Sequence, residues 1–343
     1  MSVSTRKEYS SIFYNNLGIT RENLYDFSGE LQISKTSFYP IACANFSGII
    51  AEVLIWNLHE TKCGYIVKVY SGSGKIISGY YWRTSFNLLS FDWVQNDTLL
   101  FVFENGQVFS YGSGRHHIPR KVLHLSNLSI YGVAFYNKGF VATTGRGSLV
   151  KVSCADKIVK FVKMTLNTQE NVQCLAIKEC VTGTGKDDLY IATDSGVSYF
   201  RHITCMTQIH RKLIHSIRLS HVQNFLAVYQ RNGILSVFDE NLGKILYQVN
   251  LKILDPPIQI AWVASAAVAL TWSEKTILVG NECKILEIHG RTSIFQDCDG
   301  MRMISNYYHD FLRPLQGSCD LHFYAEETST TEVFVYDLLR TLS

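Results

Sequence analysis

The chain has 343 residues, of which 47% are hydrophobic and only 18% charged, and its 32 Lys and Arg against 29 Asp and Glu leave a net charge of +3. Such a composition supplies ample apolar surface for a core and excludes a disordered chain, while the near-neutral balance offers no broad basic field for nucleic acid. The length exceeds that of a usual single domain, yet no linker-like stretch divides it, so one large repetitive domain is expected.

The start, Met1 to Tyr9, carries Arg6, Lys7 and Glu8 without the apolar stretch of a secretory signal, and a cytosolic chain is the expectation. Nine cysteines (Cys43, Cys63, Cys154, Cys174, Cys180, Cys205, Cys283, Cys298 and Cys319) are scattered singly and never form a CxxC pair, so reduced thiols are expected. Asn45, Asn96 and Asn127 open glycosylation sequons, which read as chance in a chain with no secretion signal.

In chain order, Ile41 to Ala44 and Val53 to Leu58 predict strands before a first turn at Cys63-Gly64. Thr98 to Phe103 and Gln107 to Tyr111 then predict a hairpin, with Asn105-Gly106 as the two positive-φ positions of a type I′ turn. The same unit recurs around Gly147, Gly196 and Gly233. The apolar run Ile258 to Trp272, broken by Gln259, Ser265 and Thr271, is short of the roughly 20 residues that cross a bilayer. It predicts two strands joined at Ala264-Ser265-Ala266, the second turning at Glu274-Lys275 into Thr276 to Val279.

From Gly64 to Gly106, Gly147, Gly196, Gly233 and Lys275 the steps are 42, 41, 49, 37 and 42 residues. A four-stranded propeller blade needs about 40 to 50 residues, and shorter helical repeats do not fit. The fold expected is therefore all-β, a single β-propeller of about seven four-stranded blades with a short C-terminal helix. Its ring would span residues 1–325 and close with strands from both chain ends, among them Met301 to Asn306 and His322 to Ala325. Trp56, Trp82, Trp93, Trp262 and Trp272 fall at or near strand positions and are expected to pack between blades.

Residues 326–343 carry a different signal. Ser329-Thr330-Thr331-Glu332 is a capping box, in which the Ser oxygen and Glu carboxylate satisfy free backbone donors at a helix start. Phe334, Leu338 and Leu342 recur at helical spacing with Val335 and Leu339 beside them, so these five are the candidate partner-binding residues. The stripe either covers the propeller or opens a longer α-solenoid.

Chemical signatures are weak. Thr182 to Lys186 lacks the first Gly of a phosphate loop and is followed by Asp187-Asp188, which would repel phosphate. Gly72-Ser73-Gly74 and Gly112-Ser113-Gly114 lack the spacing of a nucleophile elbow, and His116-His117, His210 and His215 lack zinc spacing. Asp297-Cys298-Asp299-Gly300 resembles a calcium loop only at its start and reads as a β-turn. Arg115 to Lys121 and His210-Arg211-Lys212 read as solvated loops, with contact to anionic lipid headgroups or an acidic partner as the other reading. No cofactor, metal or catalytic residue is expected.

Three stretches carry a resemblance. They are Val69-Tyr-Ser-Gly-Ser-Gly74 with Trp82 and Ser90-Phe-Asp-Trp-Val through Leu100 to Gly112, then Asp255-Pro-Pro-Ile-Gln-Ile-Ala-Trp262 with Ala267 to Trp272 and Ile277 to Gly280, and finally Asp299 to Ser305 with His309-Asp-Phe-Leu312. In order and spacing they resemble the amino-terminal propeller of vacuolar protein sorting-associated protein 16, over roughly Tyr65 to Leu339, though from Ser126 to Gln248 only the blade pattern persists. The resemblance implies a non-catalytic scaffold of the HOPS and CORVET tethering complexes. It would be cytoplasmic and peripheral on late endosome, lysosome or vacuole membranes, with other tethering subunits as partners. The family's Sec1/Munc18-like partner docks on a carboxy-terminal α-solenoid, beyond the residues matched here. A generic adaptor that reads a peptide or loop, and an enzyme with a site in the central channel, are the competing readings.

Overall fold

The computed structural model describes residues 11–14, 17–27, 41–45, 47–59, 62–95, 97–112, 119–125, 128–145, 148–155, 158–165, 171–179, 187–201, 204–211, 213–220, 222 and 224–315. Seven antiparallel sheets form a propeller. Blade one is Ile41–Cys43, Ile50–His59, Lys62–Tyr70 and Ile76–Thr84, and blade two is Leu88–Val94, Thr98–Phe103, Gln107–Gly112 and Arg120–His124. Blade three is Gly132–Tyr136, Gly139–Gly145, Ser148–Ala155 and Ile158–Thr165; blade four is Val172–Lys178, Asp188–Thr193, Gly196–Arg201 and Thr204–His210. Blade five is Ile214–Leu219, Leu226–Gln230, Ile234–Phe238 and Ile245–Asn250, and blade six is Gln259–Val263, Ala267–Thr271, Lys275–Gly280 and Ile285–His289.

Blade seven joins distant parts of the chain. Ser293–Gln296, Met301–Ile304 and Tyr308–Pro314 supply three strands, Ile19–Asp26 pairs beside the last of them, and Ser11–Tyr14 adds a fifth outermost strand. The first strands of neighbouring blades touch in cyclic order, blade seven against blade one included, so the ring is closed. Ile41–Cys43 and Ile50–His59, expected to help close it, belong instead to blade one, while Ser11–Tyr14 and Ile19–Asp26 were not predicted at all. His322 to Ala325 and the capping-box segment lie outside the described residues.

Two turns also differ from expectation. Cys63 and Gly64 pair with Asn57 and Trp56 inside a hairpin, so the first turn falls earlier, between His59 and Lys62. At Glu104-Asn105-Gly106 only Gly106 has positive φ, at 79°, and its N–H donates to the Phe103 carbonyl at 2.9 Å. This is the three-residue hairpin loop, with Asn105 accepting from the Gln107 N–H instead of adopting a left-handed backbone. Gly233 repeats the arrangement at φ 83°, donating to the Gln230 carbonyl. A Cβ on Gly106 would meet the Leu125 carbonyl oxygen at 2.6 Å, so conformation and space both require glycine there.

The core is a ring of seams rather than one centre. Seven apolar clusters each span one blade boundary, from Phe101 and Tyr65 between blades one and two to Leu278 and Met303 between six and seven. Middle strands therefore bury both faces, as Asp188–Thr193, Leu226–Gln230 and Ala267–Thr271 do along their full length, whereas the outermost Thr204–His210 is largely exposed. That is why the middle strands read as continuous apolar runs. Trp93 and Trp262 hold equivalent places, each donating its indole N–H to a first-strand carbonyl of the preceding blade, Ala42 and Arg218 respectively.

Arg21 and Asp310 form a buried ion pair across the closing strands, and Asn23 donates to the other Asp310 oxygen at 3.0 Å. Replacing Arg21 leaves the buried Asp310 carboxylate without its counterion, which costs about 3–5 kcal/mol. Arg21→Met should therefore lower unfolding stability by about 3 kcal/mol in denaturant titration. Arg21→Met with Asp310→Leu should recover most of that loss, and additive losses in the double variant would contradict it.

Candidate interaction surface

The boundary between blades seven and one is the place where buried polar chemistry concentrates. Arg302 Nε donates to Asp297 at 2.7 Å, and a second Arg302 nitrogen lies 3.4 Å from His309 Nε2. His309 is fully buried, and its Nδ1 lies 2.8 Å from the Gly72 carbonyl of blade one. A carbonyl only accepts, so Nδ1 carries the proton and Nε2 accepts from Arg302. Burial, opposed in part by the Gly72 contact and reinforced by Arg302, pushes His309 down to about 4. The ring is thus neutral at physiological pH. Gly48 leaves room for Arg302, since a Cβ there would stand 2.6 Å from the guanidinium.

Beside this network, burial raises the Cys43 thiol to about 12, and the same effect raises Cys174 to about 12, the reverse of what a nucleophilic thiolate needs. Nearer the ring centre, Arg218 of blade five reaches Gln296 of blade seven at 3.4 Å, and its charge partly offsets the burial that raises Asp92 of blade two to about 6. Arg218 is reached by water yet ringed by protein, as befits a side chain in a central channel.

Asp297, Cys298 and Asp299 bring three possible metal-ligand atoms together, but the Asp297 carboxylate already accepts from Arg302 and from the Cys298 N–H. The Asp297 N–H donates to the Gly300 carbonyl, closing the hairpin turn that the sequence indicates.

The second feature is apolar and exposed. The chain leaves every blade from its fourth antiparallel strand and enters the next at its first, so all connections from one blade to the next emerge at one end of the ring. Phe86 (38% exposed), Tyr131 (69%), Leu213 (59%), Leu254 (79%) and Ile258 (46%) sit on those connections. Among the described residues, connections at the opposite end expose only one large apolar side chain, Val222.

Residues 251–258 form the longest of the connections that are described in full, and they are fixed from beneath. The Leu251 N–H donates to the Gly233 carbonyl, the Trp272 indole donates to the Asp255 carbonyl at 2.9 Å, and the Ile258 N–H donates to the Thr271 carbonyl. Leu213 accepts from the Arg231 N–H, which brings the 211–213 connection against the same blade-five turn. Leu213 and Lys252 hold left-handed backbones at φ 59° and 56°, a conformation that costs a non-glycine residue about 1–2 kcal/mol. Leu213 thus combines strain with an exposed apolar side chain, and neither contributes to stability.

The candidate partner-binding residues Phe334, Val335, Leu338, Leu339 and Leu342 lie outside the described residues, so the exposed connections are the surface that can be placed. Sequence reading missed most of it because single exposed apolar residues in loops have no periodicity. The one legible trace is Asp255-Pro256-Pro257, which lies in a stretch that carries the family resemblance.

The fold defines the chain as a seven-bladed β-propeller. The sequence profile of the family described as Vps16, N-terminal region, matches residues 11–328, and the chain belongs to that family. It is also similar to Protein VACUOLELESS1 of Arabidopsis thaliana, at 21% identity over 333 residues, covering 87% of this chain and 39% of that protein. The chain therefore spans about two-fifths of the length of that curated relative.

Solved structures of similar shape include Saccharomyces cerevisiae Sqt1, with a TM-score of 0.56, 12% identity and 82% of each chain covered. Chaetomium thermophilum Raptor has a TM-score of 0.59 at 13% identity, covering 80% of this chain and 27% of its own. At such identities they establish the fold alone.

The buried His309 makes a pH prediction. Its folded value lies below the unfolded value of about 6.5, so the unfolded chain binds the extra proton first and stability falls as pH drops from about 6.5 to about 4. Glu52, Asp92 and Asp310, raised by burial, act in the opposite sense. His309→Gln keeps a donor and an acceptor without titrating, so it should cancel those other contributions in a difference measurement. The wild-type chain should lose about 3 kcal/mol relative to the variant across that window, by denaturation at a series of pH values. A pH-independent difference would show that His309 is not the titrating group.

Proposed function

We propose that this propeller is a non-catalytic scaffold of an endosomal, lysosomal or vacuolar membrane-tethering complex acting in vesicle traffic. The observation that carries the reading is membership of the Vps16 amino-terminal family along nearly the whole described ring. The name of the plant relative also refers to the vacuole. The physical features are consistent with a scaffold. The Cys43 thiol and the His309 ring in the densest polar cluster are shifted toward their neutral forms, and the exposed apolar side chains lie on connections where another macromolecule can reach them.

In this reading the partners are other subunits of HOPS or CORVET, and the protein sits peripherally on late endosome, lysosome or vacuole membranes. No helix among the described residues is long and apolar enough to cross a membrane. The stripe Phe334, Val335, Leu338, Leu339 and Leu342 would provide a further contact, through which a solenoid and its Sec1/Munc18-like partner could follow in a longer product.

Affinity purification of the tagged chain from its native cell provides the test. Recovery of HOPS or CORVET subunits in stoichiometric amounts is the expected result, and repeated recovery of none of them removes the proposal. Leu338→Glu with Leu342→Glu should reduce that recovery at least several-fold if the stripe is a contact, leaving the thermal unfolding of the propeller unchanged.

A further inference from the structure

The exposed apolar tips are distributed around the ring instead of being gathered in one cleft. Phe86 lies between blades one and two, Tyr131 between two and three, Leu213 between four and five, and Leu254 and Ile258 between five and six. All project from one end. A peptide would engage one groove, and side chains lining a groove are partly shielded, whereas Leu254 is 79% exposed. A partner that meets tips on several blades together is broad and flat.

Charge narrows the choice. Among the described residues, the connections at 211–213, 231–233 and 251–258 carry Arg211, Arg231 and Lys252 against a single acid, Asp255. Arg231 and Lys252 are exposed, and among the described residues neither they nor Arg211 pairs with a carboxylate. Apolar tips beside unpaired cations fit a surface that is anionic outside and apolar just beneath, and Tyr131 suits the boundary between the two. The backbone is committed to the display as well, with left-handed Leu213 and Lys252 and a loop fixed by Gly233, Trp272 and Thr271.

We infer that the end of the propeller bearing the inter-blade connections docks directly on an anionic phospholipid bilayer, with Leu254 and Leu213 entering the headgroup boundary and Arg231 and Lys252 contacting lipid phosphates. The contact extends the tethering reading by giving the scaffold a membrane surface of its own. It needs no other subunit, so its failure is distinguishable from failure of the purification test.

The test is sedimentation of the purified full chain with vesicles of phosphatidylcholine alone or of phosphatidylcholine with phosphatidylserine. Binding to the anionic vesicles is expected, weakening as salt screens the cations. Arg231→Glu with Lys252→Glu should lower it at least fivefold per position, and Leu254→Glu should lower it tenfold or more. Tyr131→Ser, on a distant blade, should also weaken binding, while Val222→Glu on the opposite end should not. Leu254→Ser serves if the glutamate variant does not reach the wild-type melting temperature. Binding that ignores both Leu254 variants overturns the proposal. So does equal binding to the two vesicle types, and no binding to either would assign the tips to a protein partner instead.

Discussion

Everything in the ring depends on Ile19–Asp26 pairing with Tyr308–Pro314, which joins backbone from the two ends of the chain. Arg21 and Asp310 meet there across 289 residues of sequence. Loop closure entropy grows only logarithmically, so bringing such distant segments together costs about 2 kcal/mol more than closing a loop of blade length. Seven backbone partners and a buried ion pair offset that amount. Without the pairing, blade seven would keep three short strands, and its seams with blades six and one would open to water. The remaining blades cannot compensate, because each covers only its two neighbours.

The closing seam is also built differently from most of the others. Five buried apolar residues, Phe27, Cys43, Ile50, Tyr70 and Ile304, share it with the Asp297, Arg302 and His309 network. Apolar contact is tolerant of small slips, whereas these bonds admit one geometry. His309 must present its protonated nitrogen to Gly72 and its lone pair to Arg302 at once. The network therefore helps fix how the last blade meets the first. Neutral His309 is the form that allows it, since a protonated ring would face the Arg302 cation directly.

Much of the ring was legible because middle strands bury both faces and so read as apolar runs with polar turns between them. Thr98–Phe103, Leu226–Gln230 and Ala267–Thr271 are such strands, and the joint at Ala264 to Ala266 fell where the small residues placed it. Closure was expected from both ends, but its N-terminal strands were not. Ser11–Tyr14 and Ile19–Asp26 lie on the outer part of blade seven, and Ile19–Asp26 reads Ile-Thr-Arg-Glu-Asn-Leu-Tyr-Asp with little apolar content. Its pairing rests on backbone bonds and on Arg21, Glu22 and Asn23, none of which leaves an apolar period. Turn type was also hidden, since Asn-Gly suits two hairpin loops and only the register beyond it separates them.

The surface was the least legible part, for a reason that also bears on its role. Folding selects residues by burial, and Leu213, Leu254 and Tyr131 contribute little to it. Around Leu254 the chain nevertheless uses Gly233, Tyr229 and Trp272 to hold a loop whose tip stays in water. At Leu213 it accepts a left-handed backbone that glycine would adopt without strain. A loop needed only to connect two blades would have a polar tip and a relaxed backbone. Rigid support beneath an exposed apolar side chain lowers the entropy lost when that side chain is captured, which benefits binding and not folding. The two halves of the molecule thus follow different rules, with seams chosen for burial and one end of the ring chosen for what it meets.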